Sequence, residues 1–179
     1  MEKRTIFVDE KTGEVVSEKR HHISAAFDDE KGYLLWARKN FAKSFSEIDF
    51  PKDMTTLEIG QMTRLSKRIW SNTNMLGYRG SGGVKPYDID KIAEVLNISS
   101  RQAYRFMQKM MKLGIIAKVT VDTEGKKDTH YYINPMYFFS SKRIPLNLYL
   151  IFRKQLDAVL PQWVIQRFSD QNVIGIEKC

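Results

Sequence analysis

Two short helical periods separated by only three residues constrain this chain more than any other feature. The first carries Ile89, Ile92, Ala93 and Leu96, and the second, from Ser100 to about Leu113, carries Ala103, Phe106, Met107, Met110 and Leu113. Both sets recur at spacings of three and four, the period of an amphipathic helix. Asp88 or Asp90 can cap the first helix and Ser99 or Ser100 the second, so Asn97-Ile98-Ser99 leaves room for a tight turn and nothing more. Gly114 is placed to close the second helix in the left-handed conformation. Two β-rich runs follow, residues 115–121 and 130–133, around a polar stretch, 122–129, that reads as a loop with Gly125 at its tip.

Helix, turn, helix and hairpin is the order of a winged helix-turn-helix, and the expected fold class is α+β. On a wheel at 100° per residue, the apolar set of the second helix falls on one side. Arg101, Arg105, Gln108 and Lys112 fall on the other, with Tyr104 and Lys109 at the edges. Between Ser99 and Val121 stand five basic residues (Arg101, Arg105, Lys109, Lys112, Lys118) and no acidic one. A merely solvated face mixes both signs, whereas a face that meets phosphate is weakened by every carboxylate it carries. Position then suggests roles. The N-terminal part of such a helix reads base edges, which assigns Arg101, Gln102 and Arg105 to that task. Ser100, Tyr104, Lys109 and Lys112 suit phosphate, and Lys126 and Lys127 at the hairpin tip suit the backbone or a minor groove. The whole-chain balance, 29 Lys and Arg against 21 Asp and Glu for a formal charge of +8, favours the same polyanionic partner, double-stranded DNA. Met107, Met110 and Met111 read as core.

The remainder divides around this unit. Residues 5–20 read as an N-terminal β-hairpin turning at Gly13, while 33–45 alternates too poorly to fix as strand or helix. Thr55 and Glu58 form a capping box ahead of Ile59, Met62, Leu65 and Ile69. Residues 77–86 hold four glycines and a proline without phosphate-loop spacing, and read as a flexible connector; contact of Arg79 or Lys85 with a DNA backbone is the alternative. From Leu146 the chain is helical again, divided at Pro161. Its apolar set (Leu146, Tyr149, Phe152, Leu156, Leu160, Trp163, Val164, Phe168) exceeds what one docked helix needs. A homodimer is the preferred use, and packing back onto the hairpin and first helix the alternative. The expected domains are 1–50, 51–138 with the DNA-binding unit, and 139–179 as a helical extension.

Several classes of function are disfavoured. The single cysteine, Cys179, builds neither a disulfide framework nor a thiolate zinc site, and His21, His22 and His130 lack metal-ligand spacing. No catalytic constellation is visible, so an enzyme, a cofactor and a small-molecule ligand are not expected. The N-terminus has no apolar run of a signal peptide, and the strongest apolar run, 146–152, falls short of the ~20 residues of a membrane span. No membrane association and a cytoplasmic location are expected.

Three stretches are similar to one known family. Phe7-Val-Asp-Glu-Lys-Thr-Gly-Glu-Val-Val16 resembles the opening of RepL-type replication proteins of firmicute plasmids and their phage relatives. So does Asn97-Ile-Ser-Ser-Arg-Gln-Ala-Tyr, continuing to Lys112-Leu-Gly-Ile-Ile116, and so does Tyr132-Ile-Asn-Pro-Met-Tyr-Phe138. The resemblance implies a winged helix that binds a replication origin or the regulatory DNA of a mobile element, in replication initiation or maintenance or, alternatively, in transcriptional regulation.

Overall fold

A turn built from side-chain and backbone hydrogen bonds opens the chain. Asp9 Oδ1 accepts from the N–H groups of Lys11 and Thr12, and Gly13 takes φ 71°. Around it β1 (Glu2–Val8) pairs antiparallel with β2 (Val15–His22), with an irregularity between Phe7 and Val8. A second small ladder joins β3 (Phe27–Asp28) to β4 (Gly32–Tyr33). The computed structural model describes residues 2–9, 11–22, 27–28, 32–33, 42–123 and 126–176. The undecided stretch 33–45 therefore lies largely outside the described residues. The chain divides into two units, Met1–Lys39 and Asn40–Cys179.

The second unit is built from α1 (Thr56–Ser66), β5 (Gly77–Gly80), β6 (Gly83–Pro86), α2 (Ile89–Leu96), α3 (Ser100–Lys112), β7 (Ile116–Thr123), β8 (Lys126–Ile133), α4 (Leu146–Ile151), α5 (Arg153–Leu156) and α6 (Gln162–Ile176). The fold is α+β, with six helices and two-stranded antiparallel sheets among the described residues. The capping box of α1 is present: Glu58 N–H donates to Thr55 Oγ1 at 3.3 Å, and Thr55 N–H donates to Glu58 Oε2 at 2.8 Å. The helix stops at Ser66, short of Ile69, which instead bridges Leu76. Met62 and Leu65 from α1, Ile92 and Leu96 from α2, and Ala103, Met107 and Met110 from α3 close on Ile115, Ile116 and Ile133 to form the first core. Each buried Leu, Ile or Met of this set contributes about 1.5–3 kcal/mol of transfer free energy.

Two expected loops are strand. Within the polar stretch, residues 122–123 and 126–129 extend the ladder, with Asp122 opposite Lys127 and Thr123 opposite Lys126. Alternating Thr, Asp and Lys suits a ribbon with open faces; it was the polarity that read as loop. The glycine-rich stretch 77–86 forms the β5–β6 hairpin, in which Tyr78 faces Lys85 and Arg79 faces Val84. Its turn is possible because Gly82 and Gly83 take φ 87° and 127°. Tyr78 and Tyr87, ring centroids 5.4 Å apart, seat its root. The flexible connector expected here is an ordered hairpin.

The tail packs within the chain. Phe139, Leu148, Tyr149, Phe152 and Leu156 form a second core, against which Ala117, Tyr132, Leu146, Leu160 and Phe168 pack. The β7–β8 ladder is thus a wall between two cores. One face gives Ile116 and Ile133 to the first; the other gives Ala117 and Tyr132 to the second. Among the tail's apolar set, Trp163 alone stays exposed, at 71%. No helix among the described residues is long and apolar enough to cross a membrane.

Candidate nucleic-acid interface

The elements that carry the candidate site are fixed by local chemistry. Asp88 is the cap of α2, its side chain accepting from Lys91 N–H at 2.8 Å. Asn97 ends that helix in the left-handed conformation (φ 57°), which turns the chain within two residues into Ser99, the cap of α3. Gly114, φ 70°, then turns α3 into β7. Behind the turn, Asn134 Nδ2 donates to Gly114 O at 2.9 Å and its own N–H donates to Ile115 O at 2.8 Å. Asn134 therefore pins the root of the ladder to the exit of α3.

Burial sorts α3 into two sides. Ala103, Phe106, Met107 and Met110 are buried, at spacings that keep them on one face. Met111 and Leu113 pack against the same core at its margin. Arg101, Gln102, Tyr104, Arg105, Gln108 and Lys112 are exposed. Arg101, Arg105 and Lys112 have no ion-pair partner among the described residues.

Three of the candidate residues are engaged by the chain itself. Gln102 Oε1 accepts from Ser99 N–H at 3.0 Å and from Ser99 Oγ at 2.9 Å, completing a second capping box. Ser100 Oγ donates to Asp90 Oδ1 at 2.6 Å. Lys109 Nζ donates to Glu58 Oε2 at 2.8 Å, tethering α3 to the first turn of α1. Read in sequence, this helix has no acid nearby; in the fold, α1 and α2 each bring a carboxylate to its edge. Sequence reasoning missed Glu58 and Asp90 because their neighbours on α3 lie 51 and 10 residues away. The expected hairpin cations divide as well. Lys127 is exposed but stands opposite Asp122, and the side chain of Lys126 lies outside the described residues.

The Glu58–Lys109 pair has a consequence for stability. Burial works against the Glu58 charge, but the Lys109 ammonium and the Thr55 N–H and hydroxyl outweigh it and hold the carboxyl below the ordinary glutamate range. A folded pKa below the unfolded one adds stability that is present above the unfolded value and is lost as pH falls through the folded one. Glu58→Gln keeps the cap and removes the charge. It is expected to cost on the order of 1 kcal/mol at pH 7, because the pair is still partly open to water. Urea unfolding at a series of pH values checks this: the gap to wild type closes below the glutamate range, and a gap that persists there assigns the loss to the cap.

Among the described residues no group of three or more His, Cys, Asp or Glu side chains is placed to hold a metal ion. No protein-family model, no curated protein and no solved structure matches this chain.

Proposed function

We propose that this chain is a sequence-specific double-stranded DNA-binding protein of the winged helix-turn-helix type, with α2 and α3 as the helix pair and β7–β8 as the wing. The single observation that carries the reading is the open side of α3, where Arg101, Tyr104, Arg105, Gln108 and Lys112 are exposed while the opposite side is buried. Arg101 and Arg105 are the base readers: a guanidinium reaches guanine O6 and N7 with two hydrogen bonds, and neither has an ion-pair partner among the described residues. Gln102 acts as a cap, Ser100 and Lys109 as positioning groups, and Tyr104 and Lys112 as phosphate contacts. Lys118, Lys126 and Lys127 extend the contact along the wing. The β5–β6 hairpin adds a second, because it leads straight into the cap of α2 and carries exposed Arg79 and Lys85.

The resemblance to RepL-type proteins supports replication initiation or maintenance of a plasmid or phage in the bacterial cytoplasm, by binding and not by catalysis; transcriptional regulation is the alternative. A homodimer would set two copies of α3 about 34 Å apart on one duplex face. Selection of bound genomic fragments by the purified protein, followed by footprinting, tests the reading. Protection within an origin supports the first role and protection over a promoter the second. Binding without sequence preference, or site-specific nicking with magnesium, overturns the proposal.

The hairpin contacts predict a salt effect. Each phosphate contact steepens the fall of log K with log salt by about 0.9. The double change Arg79→Ala with Lys85→Ala, and separately Lys126→Ala with Lys127→Ala, is expected to reduce the slope by about 2 on every duplex alike. Titration at 50–200 mM salt measures it. An unchanged slope removes that hairpin from the interface.

A further inference from the structure

The C-terminal helix carries a second feature that the DNA reading does not use. Between α6 and residues 142–144 lies a cleft of about 560 Å3. Its inner wall is held to the second core, because Phe168 stacks on the buried Tyr149 with ring centroids 4.1 Å apart and planes within 11°. Tyr149 is itself fixed by a 2.6 Å hydrogen bond from its hydroxyl to Asp157 Oδ1. The floor is hydrocarbon from Ile144, Leu160, Val164 and Phe168. On the rim stand Lys142, Arg143 and Arg167, all exposed and none with an ion-pair partner among the described residues. Trp163 also lines the cleft and is 71% exposed. No carboxylate lines it among the described residues.

We propose that this cleft is a docking site for an acidic protein segment that carries apolar anchor side chains. Charge complementarity selects the occupant. Three cations around an apolar floor attract carboxylates to the rim, where guanidinium groups hold them by paired hydrogen bonds, while aliphatic or aromatic side chains enter the floor and lie against Trp163. An exposed tryptophan on an ordered helix is the residue type most enriched where partners anchor. A second copy of this chain fits poorly, since a two-fold contact made by this patch brings the three cations against their own kind. A nucleic-acid strand fits poorly as well. Strand binders stack successive bases on several open rings, whereas here Trp163 is the one exposed ring of the lining among the described residues and Phe168 is already stacked on Tyr149. An amphipathic helix laid in the groove, with anchors three or four residues apart, asks only for what is present. The proposal stands independently of the DNA reading, since its residues lie outside α3 and both hairpins.

Selection from a displayed library of random 16-residue peptides on the immobilised full-length protein tests it. Enriched peptides are expected to be rich in Asp and Glu and to carry two or more large apolar residues at helical spacing. A labelled peptide of this kind is expected to lose at least about tenfold in affinity to Trp163→Ala and to Arg143→Glu, read by fluorescence anisotropy. Trp163→Ala, made at an exposed position, is expected to keep the wild-type circular dichroism and DNA binding. The proposal is overturned if no peptide is enriched, if enriched peptides lack acidic bias, or if neither variant weakens them. It is equally overturned if Trp163 crosslinks to oligothymidine, or if Trp163→Ala dissolves a dimer of the chain: the cleft then belongs to a nucleic acid or to a second copy.

Discussion

Replacing Asn74 by alanine is expected to lower the free energy of unfolding by about 4 kcal/mol, a large share of what a chain of this size has. The side chain is fully buried and takes part in four hydrogen bonds. Its Nδ2 donates to Ile133 O at 2.9 Å and Phe138 O at 2.7 Å, and its Oδ1 accepts from Ser140 N–H and Ser140 Oγ, each at 3.1 Å. Its backbone oxygen accepts from Ile133 N–H at 2.9 Å. One residue thus joins the segment that covers the edge of β8, the end of β8, and the chain that enters the second core. Alanine leaves two carbonyls and an N–H buried without partners, each costing about 1–3 kcal/mol. It also has to hold φ 57°, which asparagine tolerates and alanine resists.

Asn74→Gly separates these two causes. Glycine accepts the backbone angle and supplies no hydrogen bonds, so its loss should be smaller than that of alanine by about 1 kcal/mol and still large. Urea denaturation of both variants decides the matter. If each loses less than about 1 kcal/mol, the orphaned groups find other partners and the network does not hold the two cores together.

What could be read from the sequence follows from how far apart the interacting groups lie. The caps of α1 and α3 depend on residues three apart: Thr55 with Glu58 reads as a capping box and is one, while Ser99 reads as a cap but its partner Gln102, expected to read a base, completes a second box. The α3 core face depends only on the helical repeat, and Ala103, Phe106, Met107 and Met110 are buried together. The β5–β6 hairpin was hidden because glycines that end most strands here supply its turn and its close pairing. The outer part of β7–β8 was hidden because a ribbon with open faces needs no apolar alternation. Contacts between distant elements left no local trace at all. Lys109 meets Glu58 across 51 residues, so a residue expected to contact phosphate is also paired within the chain. The tail was legible as apolar but not in its destination, for the pattern of Tyr149, Phe152 and Leu156 is the same whether they face a second copy or, as here, the face of β7–β8 that carries Ala117 and Tyr132.

Arg101→Ala and Arg105→Ala are each expected to weaken binding to the preferred duplex by about 1–3 kcal/mol, from roughly fivefold to more than a hundredfold. Each should also relax the choice of base at one position. The two side chains stand one helical turn apart on the open side of α3, exposed and without ion-pair partners among the described residues, so the folded state loses little when either is cut back. Thermal unfolding should stay within about 0.5 kcal/mol of wild type. Lys112→Ala provides the contrast, because a lysine that meets phosphate contributes to every duplex equally and reduces the salt slope by about 1. Binding measured on the selected duplex and on an unrelated one of the same length separates the roles. An arginine that reads a base loses affinity for the first and little for the second. Should both arginine variants weaken the two duplexes alike, Arg101 and Arg105 contact phosphate, and sequence choice has to come from the shape of the DNA along the hairpins.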